Sequence, residues 1–193
     1  MPTFPTLITR LDALLRQYRP AYHAALRPPV SAAAVAAFEA EFDLRLPAGL
    51  RQWLDWHDGQ PPELFEALVG MYSWPSLEDM AATMRINREL LADGDFAPYW
   101  WQPAWLPFLT NGSGDHLCLD PEGTFTGRPG QLIEHWHDGP ERTVVFPSLS
   151  AWLAAVVQAY EAAVVGQKRL TDEQAEDLEL NSPAGFPLEF RAE

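Results

Sequence analysis

The residues best equipped for chemistry in this 193-residue chain sit near its middle: His116, Cys118 and Asp120, then His135 and His137. Side chains alternate along a strand, so His116, Cys118 and Asp120 share one face if that segment is extended. If it pairs with Gln131 to His137, then His135 and His137 join the same face. Imidazole, thiol and carboxylate are the donors that zinc takes. Zinc motifs, however, usually show tightly spaced ligand pairs, which this stretch lacks. The expectation is a central strand with Cys118 as a small hydrophobe and the histidines at strand ends. A Cys-His-Asp nucleophile fits less well, because neighbours on one strand rarely take triad geometry and no oxyanion-hole turn is evident. Asn111-Gly112-Ser113-Gly114 has no following Lys and opens no helix, so it is a hairpin turn rather than a phosphate loop. Glu134 and Asp115 are the carboxylates for glycoside chemistry, but nothing fixes their separation. Tyr99, Trp100, Trp101 and Trp105 have no Lys or Arg near them from Arg88 to Arg128, which favours packing over nucleic-acid stacking. No catalytic, cofactor-binding or metal-ligating set is assigned.

Charge is more informative. Against 13 basic residues stand 27 acidic ones, a formal charge of −14. That disfavours direct contact with nucleic acid or an anionic membrane, and favours solubility or a basic partner. Between Arg51 and Arg85 there is no basic residue, while Asp55, Asp58, Glu63, Glu66, Glu78 and Asp79 all fall there. This cluster is either a solvated face with helix caps or a docking surface for a cationic protein, with Phe65 or Trp74 as apolar anchor. One Cys excludes an internal disulfide and fits a reducing, cytoplasmic setting. No apolar run approaches the ~18–20 residues of a membrane span, and no basic-then-apolar leader is seen.

The elements that must position these residues can be read from periodicity. Leu7, Leu11, Leu14, Leu15 and Tyr18 make a helical stripe that Pro20 stops. Ser31 caps a second helix, Ala32 to Phe42. Leu46-Pro47 opens a third, ended by Asp58-Gly59. Leu68 to Trp74 is a candidate strand. Ser76, with Glu78 and Asp79 in the first turn, starts a fourth helix that Asp93-Gly94-Asp95 closes. Trp105 to Leu109 and His116 to Leu119 are strands joined by the Asn111–Gly114 turn. Gln131 to His137 and Thr143 to Phe146 form a second hairpin through Asp138-Gly139. Ser148 or Ser150 caps a long helix through Val165. Residues 171–193 are an acidic extension with seven acids and one Arg. The extension is expected to belong to the same unit as residues 1–170, with Thr171 capping a short helix.

The ordered set of short motifs resembles the SUKH superfamily. The residues that carry it are Pro28-Pro29-Val30-Ser31, Phe38-Glu39, Leu46-Pro47, Trp53 through Gln60, Trp105-Leu106-Pro107-Phe108, Gly114 through Asp120, Gly130 through Ile133, His135 through Asp138, and Ser148 to Leu153. The resemblance spans about Thr6 to Val165. It departs at Asp58, where the family usually has Asn, and at His116, where it tends to have an aromatic. The resemblance implies an α+β single domain, one twisted, mainly antiparallel sheet flanked by several helices. It also implies a protein-binding domain without chemistry. Its bacterial members resemble immunity proteins that neutralise a cognate toxin, and an acidic inhibitor would suit a basic nuclease. Its fungal members are Smi/Knr-type cell-wall assembly regulators, which makes a regulatory scaffold the alternative. A metal-dependent or hydrolytic enzyme is the third.

Overall fold

The computed structural model describes residues 2–192. Leu7, Leu11 and Leu15 form the buried side of α1 (Phe4–Tyr18). Arg19 leaves helical backbone (φ −130°, ψ 56°), since Pro20 disfavours the α region for the residue before it. The chain re-enters helix at once, however. Pro20 takes the first position of α2 (Pro20–Ala25), where a missing N–H costs nothing. Pro20 is thus both a stop and a start.

Ser31 caps α3 (Ala32–Phe42) by accepting the Ala34 N–H, and α4 (Ala48–Trp56) comes directly after Pro47. The next helix, α5 (Leu77–Asp93), begins with a reciprocal capping box between Ser76 and Asp79 and ends at left-handed Gly94. Strands β1 (Leu106–Thr110), β2 (His116–Asp120), β3 (Gln131–His135) and β4 (Glu141–Phe146) then form an antiparallel meander. Helix α6 (Leu149–Ala163), capped by Ser148, packs back on it, chiefly through Trp152, Leu153, Val156 and Val157.

The acidic extension adds α7 (Asp172–Glu176), capped by Thr171, and β5 (Leu188–Arg191). Strand β5 pairs with β4 from Glu141↔Arg191 to Val144↔Leu188, giving five strands in the order β1-β2-β3-β4-β5. The whole is one α+β domain with an open antiparallel sheet.

The expected strand from Leu68 to Trp74 does not form. Val69 and Tyr72 instead close a tight turn through Gly70 (φ +57°), and only Ser73 bridges to Thr110 of β1. The reversal at Gly70 leaves too few residues on either side for a ladder.

The sheet separates two cores. Leu117, Leu119, Leu132 and Phe146 belong to the large core beneath the helices. Cys118 and Ile133, one residue out of phase as the pleat requires, pack with Trp101 and Trp105 in a smaller aromatic core, and a bulge in the β3–β4 pairing brings Val144 to that side although it stands two residues from Phe146. Helix α1 lies on α6, and Arg19 ties this layer to the Gly70 turn and to α7. Its guanidinium donates to Ala67 O (2.9 Å), Tyr160 Oη (3.0 Å) and Asp172 Oδ1 (2.8 Å).

Candidate docking surface

Helix α4 delivers the chain into a segment, residues 57–76, that carries much of the acidic cluster. Its backbone is organised by one buried side chain, Gln60. The Gln60 amide donates to Leu64 O (2.6 Å) and Glu66 O (3.0 Å), and its carbonyl accepts from Trp74 N–H (3.0 Å) and Tyr22 Oη (2.9 Å). Gly59 passes so close to the Trp74–Pro75 backbone that a Cβ there would lie 2.5 Å from Pro75 O, and its φ is +71°. Trp74 then packs on Trp53 with ring centroids 4.2 Å apart, and Trp56 and Trp152 extend this cluster.

Trp74 is therefore not a surface anchor. It has no exposed area: its backbone N–H donates to Gln60 and its indole packs in the large core against Trp53. Phe65 is the opposite case at 87 % exposed, between exposed Glu63 and half-buried Glu66. Asp55 on α4 and Glu78 on α5 are exposed. Asp79 is exposed, but its carboxylate accepts from Ser76 N–H and Oγ–H. Asp58 is half-buried and accepts the Leu77 N–H at 2.7 Å, with Arg27 3.7 Å away. Burial pushes the Asp58 carboxyl up, against the pull of the Leu77 N–H and Arg27. Asp58 and Glu78, with Glu41 and Arg85, flank a groove of about 300 Å³ between α3 and α5, floored by Phe38 and Ala81. Asp58 and Asp79 thus brace the start of α5. Asp55, Glu63, Glu66 and Glu78 have no such task.

The histidine–thiol set does not converge. His116 and His135 are register partners on the small-core face, with Cys118 fully buried beside them. Asp120 is spent on the N–H groups of Glu122, Gly123 and Thr124 and on Gln131 Nε2. His137 lies beyond the strand, where its Nδ1 donates to Asp115 Oδ1 at 2.8 Å. Burial acts against it, but the His137 N–H, the His137 ring and Asn111 hold Asp115 below the usual carboxylate range. Glu134 points to the opposite side, toward Tyr72, and burial raises its pKa. Cys118, deep in the sheet, has its thiol pushed up by burial. None of this is nucleophile or acid–base geometry.

A family model described as the SMI1 / KNR4 family (SUKH-1) matches residues 29–155. The chain belongs to that family. No curated protein matches it closely enough to count as a relative. In this SUKH-1 member the matched span takes in α3 to β4 and the N-terminal part of α6, including the whole Gln60-organised segment. It leaves out α1, α2, α7 and β5, so it is narrower than the resemblance read from the motifs. No described helix is long and apolar enough to cross a membrane.

Two features escaped sequence reasoning. Gln60 closes the Trp53–Gln60 motif, but as one polar residue before a Pro-Pro pair it gave no sign of its four hydrogen bonds. The four-carbonyl seat of fully buried Arg142, on Trp100, Trp136, Gly139 and Glu141, was equally silent.

Proposed function

We propose that this protein is a non-enzymatic cytoplasmic immunity protein, which binds and neutralises a cognate toxin of basic surface, such as a nuclease. The observation that carries this is Phe65, 87 % exposed on a segment whose backbone is fixed from below by Gln60. An exposed aromatic offers apolar area that a partner can bury, and one carried on a fixed backbone loses less entropy on binding. Met71, 54 % exposed at the Gly70 turn, adds apolar area on the same segment. Glu63, Glu66, Asp55 and Glu78 supply uncommitted negative charge to a chain already at −14. Complementary charge speeds encounter and rejects wrong partners, while the buried aromatic sets residence time. Family membership supports a protein partner.

The test is to identify a toxin domain among the neighbouring reading frames and measure its association kinetics with this chain at low and high salt. Neutralising Asp55, Glu63, Glu66 and Glu78 together should slow association and flatten its salt dependence. Phe65→Ala should mainly speed dissociation. Unchanged rates in both variants would remove this surface from the interface. A cell-wall regulatory partner in place of a toxin would return the regulatory-scaffold alternative.

A further inference from the structure

On the helical layer, three donors from three elements meet: Asp12 on α1, His23 on α2 and His57 at the end of α4. Each offers one ligand atom, and these atoms lie within 4.8 Å of one another. His23 Nε2 stands 2.9 Å from Asp12 Oδ1. His57 Nδ1 donates to Arg27 O at 2.7 Å, which leaves the lone pair of the neutral ring on Nε2. The two imidazoles meet edge to face, centroids 5.7 Å apart.

We propose that Asp12, His23 and His57 form a binding site for a zinc-class divalent cation, with solvent as the fourth ligand. Two imidazoles and one carboxylate are a borderline-soft donor set, which suits zinc and its neighbours better than calcium or magnesium, both of which prefer all-oxygen shells. The outer contacts are those a ligand set needs. The Arg27 carbonyl orients His57, Trp56 Nε1 donates to Asp12 Oδ1 at 3.1 Å, and Arg16 Nη2 holds Asp12 Oδ2 at 3.0 Å. With zinc bonds of about 2.0–2.1 Å, tetrahedral donors stand about 3.3 Å apart. The His23–Asp12 pair therefore opens by a few tenths of an ångström, and His57 moves inward. The proton on His23 Nε2 passes to Nδ1 through solvent, so a neutral ring binds without changing charge. Arg16 opposes a cation, but its side chain is 68 % exposed and free to swing outward. The site ties α1 and α2 to the base of the Gln60-organised segment. It stands independently of toxin binding.

The experiment is chelator-competition titration of the full chain with Zn²⁺, with Co²⁺ spectroscopy as the geometric readout. We expect one Zn²⁺ per chain at this site and an intense visible Co²⁺ band of tetrahedral type. Asp12→Asn, His23→Gln and His57→Gln should each weaken Zn²⁺ binding by about tenfold or more. The amide introduced by His57→Gln can still donate to Arg27 O, which preserves the fold in that variant. His137→Gln, in the separate Asp115–His137–Asp138 cluster, should leave binding unchanged. Wild-type affinity in His57→Gln, loss tracking His137→Gln, or a weak octahedral Co²⁺ spectrum would each overturn the proposal.

Discussion

Acid should unfold this protein through two histidines that stay neutral inside it. His116 and His135 face each other across β2 and β3, with stacked rings 6.1 Å apart, and are 7 % and 3 % exposed. Among the described residues, His116 Nδ1 and both nitrogens of His135 find no hydrogen-bond partner of ordinary geometry. Burial lowers His116 from 6.5 to about 4. Burial first, then the Arg142 charge and His116, lowers His135 from 6.5 to about 3. The unfolded chain therefore binds more protons than the folded one below about pH 6.5, and stability falls as pH falls, until the folded pKa values are passed. At about pH 4.5 each histidine withdraws about 2.5 kcal/mol, at 1.36 kcal/mol per unit, an upper bound of about 5 kcal/mol for the pair. Domains hold only about 5–15 kcal/mol in total, so this decides whether the fold survives acid. The assay is urea denaturation at several pH values, comparing the wild type with His116→Phe/His135→Phe. The resemblance favours an aromatic at position 116, and Trp101 already packs on the His135 ring at 5.1 Å. Between pH 7 and about 4.5 the double variant should lose about 3–5 kcal/mol less than the wild type. Parallel stability curves would refute the argument, because every other titrating group is common to both proteins.

Gly114→Val should cost more than ~1 kcal/mol, since Gly114 sits at φ +102° and a Cβ would lie 3.0 Å from the His137 ring. Calorimetry should then show a melting temperature lower by at least about 2–4 °C. Gln60→Leu should cost about 2–4 kcal/mol in chemical denaturation, because Trp74 N–H, Tyr22 Oη and two carbonyls lose their partner in the interior. Trp74→Ala should destabilise by about 3–5 kcal/mol, while Phe65→Ala should stay within about 0.5 kcal/mol. Comparable losses in the two would mean that the segment is not divided into a buried and a displayed aromatic.

Much of the frame was legible because short-range chemistry sets it. The glycine-rich turn at Asn111–Gly114 and the Asp138-Gly139 turn bound strands whose register then followed. The stripe from Leu149 to Tyr160 gave α6 its buried side, and the β2 alternation correctly put Cys118 with His116. The features that failed to show depend on residues distant in sequence. Pro20 can either stop a helix or open one, and the burial of Tyr22 near Arg19 and Gln60 accompanies its opening one here. Strand β5 had a faint period-two signal in Leu188-Glu189-Phe190-Arg191, too short to stand without β4 beside it. Asp12, His23 and His57 share no motif, and only the packing of α1 and α2 against the end of α4 brings them together.

The candidate docking segment shows why its residues were only partly separable by sequence. Phe65 and Trp74 are both aromatics in the Pro61-to-Pro75 segment, and each is an equally good anchor on composition. Gln60 sits between their two environments. Its carbonyl accepts the Trp74 backbone N–H, and the Trp74 indole packs against Trp53, whereas the same amide donates to the carbonyls of Leu64 and Glu66. Those two carbonyls flank Phe65, so satisfying them holds the Phe65 backbone while leaving its ring outside. A single buried side chain therefore both roofs the core and presents the exposed aromatic. If the proposed partner contacts lie at Phe65, Glu63 and Glu66, stability and binding become properties of different residues on one short segment, and those contacts can change without disturbing the Trp53–Trp74 packing beneath them.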